Sequence, residues 1–300
     1  MRTKTKNLTS TYNLSRERVS WSLFGVILGR FQFASNEINR RYAKRITLES
    51  RLRQAIKNDE LALHFQPKLD IATNRVIGES LLRWKTRDLG PVSPLAFIAL
   101  AEETGLIIDI GRWVLEHACQ TLKGWQSRFE ADQNLAVNLS ARQFHDKGFM
   151  DMLFQTIIDS GIDPKGLTLE LTESLLIDNV DQCLLKLSKL RDTGARLSVD
   201  DFGTGYSSLS YLQRLPVDEL KIDQSFVAGL EQSKPSRAIA SSVIFMSHNL
   251  GLKTVAEGVE TEGQLEFLRS HECDTCQGYL FSRPLAKSDV GGIFHSTATS

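Results

Sequence analysis

No run of this 300-residue chain is long and apolar enough to cross a bilayer, a task that takes about 20 residues. An early apolar stretch, residues 21–29, stops at Arg30. Cysteine is sparse, with four in the whole chain, which excludes a disulfide scaffold. Neither sign of charge is in excess: 36 Lys and Arg face 36 Asp and Glu. That excludes the global basic field of a nucleic-acid binder, so no nucleic-acid polymer is expected as a partner. A hydrophobic content of 41% and a charged content of 24% are ordinary for a soluble globular protein and exclude a disordered or collagen-like chain. A chain of this length buries about 75% of its unfolded surface and needs no staple.

The balanced charge hides an asymmetry. Residues 1–45 hold ten basic residues and two acids, which leaves 26 bases and 34 acids for residues 46–300. The mildly acidic body suits a site that collects metal cations. The basic head reads as a tail or linker remnant, and 46–300 as the folded domain. A signal peptide would need a shorter polar lead and a small-x-small cleavage site, so the chain reads as cytoplasmic. Peripheral docking of the basic head on an anionic membrane stays open. Across residues 36–57, Leu48, Leu52, Ala55 and Ile56 recur at helical spacing and predict a lead-in helix.

Beyond Leu61 one theme repeats: a short apolar run ends in polar residues, and a helical pattern usually follows. The runs are 62–66, 76–84, 135–139, 167–172, 196–201, 219–223, 253–257 and 275–281. Eight of them in about 250 residues predict a (β/α)8 barrel of the TIM type. Only a short stretch centred on residues 68–74 lies between the first two runs, whereas a parallel crossover needs at least about 10–12 residues. Asp70, Thr73 and Asn74 are turn formers. The first strand is therefore expected to be antiparallel, giving a modified barrel. Residues 94–104 and 108–129 predict two helices before the third strand.

In such barrels chemistry sits at the C-terminal ends of the strands. Those ends carry Glu79, Glu170, Glu173, Asp200, Asp201, Asp223 and Glu257, joined by Asn138, Lys221 and Gln277. Any one acid is more often surface than site. Several from distant parts of the chain, each closing an apolar run, need neutralising, because isolated buried charge is very costly. One lysine, Lys221, does not suffice. Hard divalent cations with oxygen ligands do, and Mg²⁺ or Mn²⁺ fit best. Two such ions clamp a phosphoester and activate a water. Adjacent Asp200 and Asp201 would point opposite ways in a regular strand, so a bend is expected, with Gly203 and Gly205 to allow it.

The same residues carry a resemblance. The quoted motifs are His64-Phe65-Gln66-Pro67, Gly78-Glu79-Ser80-Leu81-Leu82-Arg83-Trp84, Val137-Asn138-Leu139-Ser140-Ala141-Arg142-Gln143-Phe144, Leu169-Glu170-Leu171-Thr172-Glu173-Ser174, Val199-Asp200-Asp201-Phe202-Gly203-Thr204-Gly205, Leu220-Lys221-Ile222-Asp223, Ala256-Glu257-Gly258-Val259-Glu260 and Gln277-Gly278-Tyr279-Leu280-Phe281. In this order they resemble the EAL-domain family of bacterial phosphodiesterases that hydrolyse cyclic di-GMP. Ser80 stands where the family signature has alanine. The resemblance implies Glu79, Asn138, Glu170, Asp200 and Asp201 as ligands of two ions. It implies Lys221, Glu257 and Gln277 around the attacking water, with the general base among them open. It implies Arg83 on a substrate phosphate, Gln66, Leu81 and Glu260 at the guanine end, and Glu173 as support of the 201–209 loop. The product would be linear pGpG, and the assembly a homodimer. A sensor or cyclase module upstream would fit such a chain. The alternative from another class is a catalytically silent receptor for the same nucleotide.

Several features have plainer readings. Asp223 shares a strand face with Lys221 and would brace it. Arg142 and Gln143 are open between a surface role and a substrate contact. Cys273 and Cys276 invite a zinc reading, but such a site needs four ligands, and Cys119 and Cys183 stand alone in helical patterns.

Overall fold

The computed structural model describes residues 42–73, 75–128, 133–177, 180–203 and 209–290. The expectations for the basic head up to residue 41, and for 204–208 of the loop after Asp201, lie outside the described residues. The chain parts into two units between Arg51 and Leu52. Helix α1 covers 42–52, within the stretch where a lead-in helix is predicted. No helix among the described residues is long and apolar enough to cross a membrane.

The body begins with β1 (Leu61–Asp70), β2 (Val76–Thr86) and the short β3 (Gly90–Val92), followed by helices α2 (Pro94–Thr104) and α3 (Ile107–Arg128). Next come β4 (Leu135–Leu139), α4 (Ala141–His145), α5 (Phe149–Ser160), β5 (Leu167–Thr172), α6 (Glu173–Ile177), α7 (Val180–Asp192) and β6 (Arg196–Phe202). The chain continues through α8 (Leu209–Leu212), β7 (Glu219–Ile222), α9 (Gln224–Ala228), α10 (Lys234–Asn249), β8 (Lys253–Ala256), α11 (Glu262–Ser270), β9 (Thr275–Gln277) and β10 (Leu285–Ala286).

Eight of these strands close a ring in the order β1-β9-β8-β7-β6-β5-β4-β2, sealed by pairing of β1 with β2. From β2 through β9 the ring is parallel. β1 runs antiparallel to both neighbours, as its short connection predicts. Asp70 makes the turn: its Oδ1 accepts the N–H groups of Ala72 at 3.1 Å and Thr73 at 2.9 Å. This is the Asx geometry that reverses a chain locally. The two strands outside the ring extend its edges, β3 on β2 and β10 on β1.

Period-2 alternation decides what faces where. In β5, Leu167, Leu169 and Leu171 are fully buried against the outer layer, while Thr168 and Glu170 face the interior. Helix α3 answers with a stripe of Ile110, Val114, Leu115, Ala118 and Leu122, spaced as one face of a helix. Each fully buried leucine of this layer contributes about 1.5–3 kcal/mol. The interior is chemically different. Gln66, Lys68, Glu79, Glu170, Ser198, Asp200, Lys221 and Gln277 are all buried, so the barrel carries a polar centre inside an apolar jacket.

Candidate active site

Lys221 is the hub of that centre. It stands on β7, 1% exposed, and its Nζ lies 2.7 Å from Glu257, 3.1 Å from Asp200, 3.1 Å from Glu170 and 3.7 Å from Glu79. Four strands, β2, β5, β6 and β8, thus deliver carboxylates to one ammonium group, Glu79 from within β2 and the others from the strand ends. Burial alone would lower the pKa of Lys221, but Glu170 and the other carboxylates hold it well above its ordinary value. It stays charged. Asn138 donates to Glu79 Oε1 at 2.8 Å, and Gln277 donates to Glu79 Oε2 at 2.8 Å. Burial opposes ionisation of Glu79, yet Lys221, Lys68 and these two donors outweigh it and hold the carboxyl at about 2. In Glu170 burial and the Glu79 charge push the carboxyl up, against the pull of Lys221 and Lys68. Burial likewise lifts Glu257 to about 7, against the pull of Lys221.

The expectation of a single lysine is corrected here. Lys68, also 1% exposed, places its Nζ 2.5 Å from Glu170 Oε1 and 3.7 Å from Glu79 Oε2. Two ammonium groups, not one, face these four carboxylates. The strand-end rule passes over Lys68 because β1 is reversed, so residues further along it lie deeper in the barrel. Alternation could have found it: Lys68 is two positions from Gln66 and shares its face.

The Asp200–Asp201 pair is bent apart before the chain reaches the glycines. Asp201 itself takes φ 55°, and the pairing of β6 with β7 shifts register between Val199 and Phe202. Aspartate tolerates this left-handed region better than most residues. Gly203 follows with φ 98°, and its N–H donates to Glu173 Oε2 at 2.9 Å. Asp223 does not brace Lys221. It caps α9, accepting from the N–H of Ser225 at 3.0 Å, and with burial and Asp200 it raises the pKa of Asp201.

Gln277 ties two parts of the site together, since its Nε2 also donates to Gln66 Oε1 at 3.2 Å. A close approach fixes its strand: Val259 N–H donates to the Gln277 carbonyl at 3.0 Å. A Cβ on the adjacent Gly278 would lie 2.0 Å from the Val259 carbonyl oxygen. Beside this seam a cleft is lined by Gln66, Glu257, Glu260, Gln277 and Tyr279. Leu81 and Arg83 stand half-buried further along β2. Arg142 and Gln143 fall to structural roles. Arg142 donates to the carbonyls of Glu102 and Glu103 at the end of α2, and Gln143 closes a capping box with Ser140. Cys119, Cys183, Cys273 and Cys276 are free and buried.

The donor set is oxygen-rich and short of positive partners. Gln277 Oε1 is a buried acceptor with no hydrogen-bond partner, and Glu170 Oε2 is held only by the Lys221 ammonium at 3.1 Å. Oxygens of Asp200, Asp201 and Glu257 lie within 4.8 Å of one another. A buried acceptor left over beside clustered carboxylates fits a hard divalent cation.

Known proteins place this arrangement. A model of the EAL domain matches residues 49–284. The bifunctional diguanylate cyclase/cyclic di-GMP phosphodiesterase MucR of Pseudomonas aeruginosa is 43% identical over 254 residues, 84% of this chain and 37% of its own length. Cyclic di-GMP phosphodiesterase NbdA of the same organism is 43% identical over 255 residues, 85% of this chain and 33% of its own. The chain thus spans about a third of the length of these relatives. The solved PaMucR phosphodiesterase in complex with c-di-GMP is 44% identical, with a TM-score of 0.79, over 81% of this chain and 99% of that one. With the reversed first strand and the strand-end carboxylates in hand, the match over 49–284 settles the family: the chain belongs to the EAL domain family.

Proposed function

We propose that the chain hydrolyses cyclic di-GMP to linear pGpG, using two divalent cations, Mg²⁺ or Mn²⁺. The observation that carries this reading is the convergence of four carboxylates on Lys221, with Asp201 beside them and a buried acceptor oxygen left over. Glu79, Asn138, Glu170, Asp200 and Asp201 would hold the ions. When bound, they supply charge stabilisation to the phosphodiester and acidify a water. Arg83 would take a phosphate oxygen, and Gln66, Leu81 and Glu260 the guanine end. Among Lys221, Glu257 and Gln277, only Glu257 can accept a proton. Lys221 is held charged and Gln277 is an amide that does not titrate. Lys221 fixes the Glu257 carboxylate from 2.7 Å, and Gln277 holds Glu79 and Gln66 in register.

The test is incubation with cyclic di-GMP and Mg²⁺ or Mn²⁺, with and without chelator, followed by chromatography for pGpG. Hydrolysis is expected with either ion and none after chelation. Ca²⁺ is expected not to support turnover, because it prefers longer and looser coordination. Full activity in excess chelator would sink the metal reading. Tight binding without turnover would hand the site to a receptor role.

The domain reading, a 46–300 barrel with 1–45 as a basic tail or linker remnant, goes with this proposal, and so does a homodimer. An upstream sensor or cyclase module goes with it too, supported by the relative lengths and the MucR name. A further expected result concerns Glu173. Its carboxylate anchors Gly203 next to Asp201, and a hydrogen bond to a charged acceptor is worth about 1.5–3 kcal/mol. Glu173→Ala should speed hydrogen exchange after Asp201 and lower kcat while cation binding persists. Unchanged exchange with unchanged turnover would reduce Glu173 to a helix-terminal residue.

A further inference from the structure

We propose that Lys68 is a positioning residue that serves as an internal counter-ion, holding Glu79 and Glu170 in place when no cation is bound and thereby setting how tightly the site binds one. The inference rests on the reading that divalent cations bind at these carboxylates.

The placement is unusual. Lys68 enters from the reversed strand β1, paired with Ile77 of β2 on one side and Gln277 of β9 on the other. Gln66, two residues earlier, is paired with Glu79 itself. Lys68 therefore sits one layer below the carboxylates and reaches up to them. Its ammonium is 1% exposed and meets Glu170 Oε1 at 2.5 Å. Burying an ammonium group is costly unless geometry and partners offset it, so a residue concerned only with packing would be apolar here. The two lysines also divide the work. Lys221 spreads over four carboxylates, Asp200 and Glu257 included, and Lys68 addresses only the pair on β2 and β5. It occupies Oε1 of Glu170 and leaves Oε2 to Lys221, 3.1 Å away on the side of the site.

The consequence follows from linkage. A bound cation neutralises the same carboxylates that Lys68 neutralises. Loss of Lys68 therefore harms the cation-free protein more than the cation-loaded one. Whatever destabilises the free form more than the bound form tightens binding. A packing residue would lower both forms equally and leave affinity unchanged.

The experiment is thermal melting of the full chain and of Lys68→Met, each with and without Mn²⁺, with Mn²⁺ affinity measured by calorimetry. The cation-free melting temperature of Lys68→Met is expected to fall by about 5–10 °C, and the loaded one by much less. The Mn²⁺ dissociation constant is expected to fall about tenfold, a usual size for coupling between sites. Equal loss of melting temperature in both forms, with unchanged affinity, would overturn the proposal. If Lys68→Met folds in neither condition, the pair Lys68→Met with Glu170→Gln decides. Recovery of a folded barrel supports the counter-ion role, and continued failure overturns it. A wild-type protein that binds no Mn²⁺ would instead refute the cation reading itself, and this inference with it.

Discussion

Asp200→Ala should reduce hydrolysis of cyclic di-GMP below detection while the cation-free barrel keeps its melting temperature. Asp200 stands at the end of β6 within 4.8 Å of ligand atoms from Asp201 and Glu257. Removing it opens the oxygen cluster from the middle. The fold tolerates the loss because Lys221 still has Glu79, Glu170 and Glu257, and because Asp200 lies at the barrel mouth, where water can enter. The same substitution at Glu170 should behave differently. Glu170→Ala takes away the 2.5 Å partner of a lysine with no access to solvent, and breaking such a pair costs about 3–5 kcal/mol. Strand-end acids that look equivalent in the sequence thus separate into one expendable for folding and one that is not. Turnover assays with differential scanning fluorimetry in chelator read both effects. Near-wild-type turnover in Asp200→Ala would remove that residue from the ion-holding set.

Glu257→Gln should lower kcat by about 10²–10⁴-fold, the usual cost of losing a positioned acid–base group, with KM close to that of the wild type. The amide keeps the shape of the side chain and cannot take a proton. Glu257 is 20% exposed and 2.7 Å from Lys221, so it faces both the open mouth and the residue that orients it. Stability should change little, since Lys221 retains three carboxylates. Steady-state kinetics separate the alternatives. Lost affinity with preserved kcat would make Glu257 a substrate clamp rather than the proton acceptor.

Much of this architecture is legible before any coordinates. The short connection after the first run already forces a reversal, and helix α2 falls on Pro94–Thr104 as its pattern predicts. Runs 135–139 and 167–172 coincide with β4 and β5. Legibility fails where the signal is geometric rather than periodic. β3 and β10 are three and two residues long, too short to show alternation. The last run reads as 275–281, but β9 ends at Gln277, because Gly278 passes too close to Val259 for the strand to carry a side chain onward. In the site, Glu170, Asp200 and Glu257 stand out because each lies at the close of an apolar run, while Glu79 lies within β2. Lys68 does not stand out, since it lies within a strand that enters the barrel from the other side. The positive φ of Asp201 was hidden too, because the glycines after it are the residues that ordinarily take such a turn.

The reversed strand also bears on how the barrel comes together. β1 and β2 pair through nine consecutive positions across a short turn, a contact local enough to form early in folding. On its other edge β1 meets β9 through only three positions, Lys68 with Gln277, Leu69 with Cys276 and Asp70 with Thr275, joining segments some two hundred residues apart in the chain. Loop-closure entropy makes that the late and costly step. The seam closed last is therefore the one flanked by Lys68 on one strand and Gln277 on the other, so the polar centre is completed only when the ring is. A brief opening along β1 and β9 would dismantle the site while most of the barrel stayed folded, which places a short, late-closing seam directly beneath its chemistry.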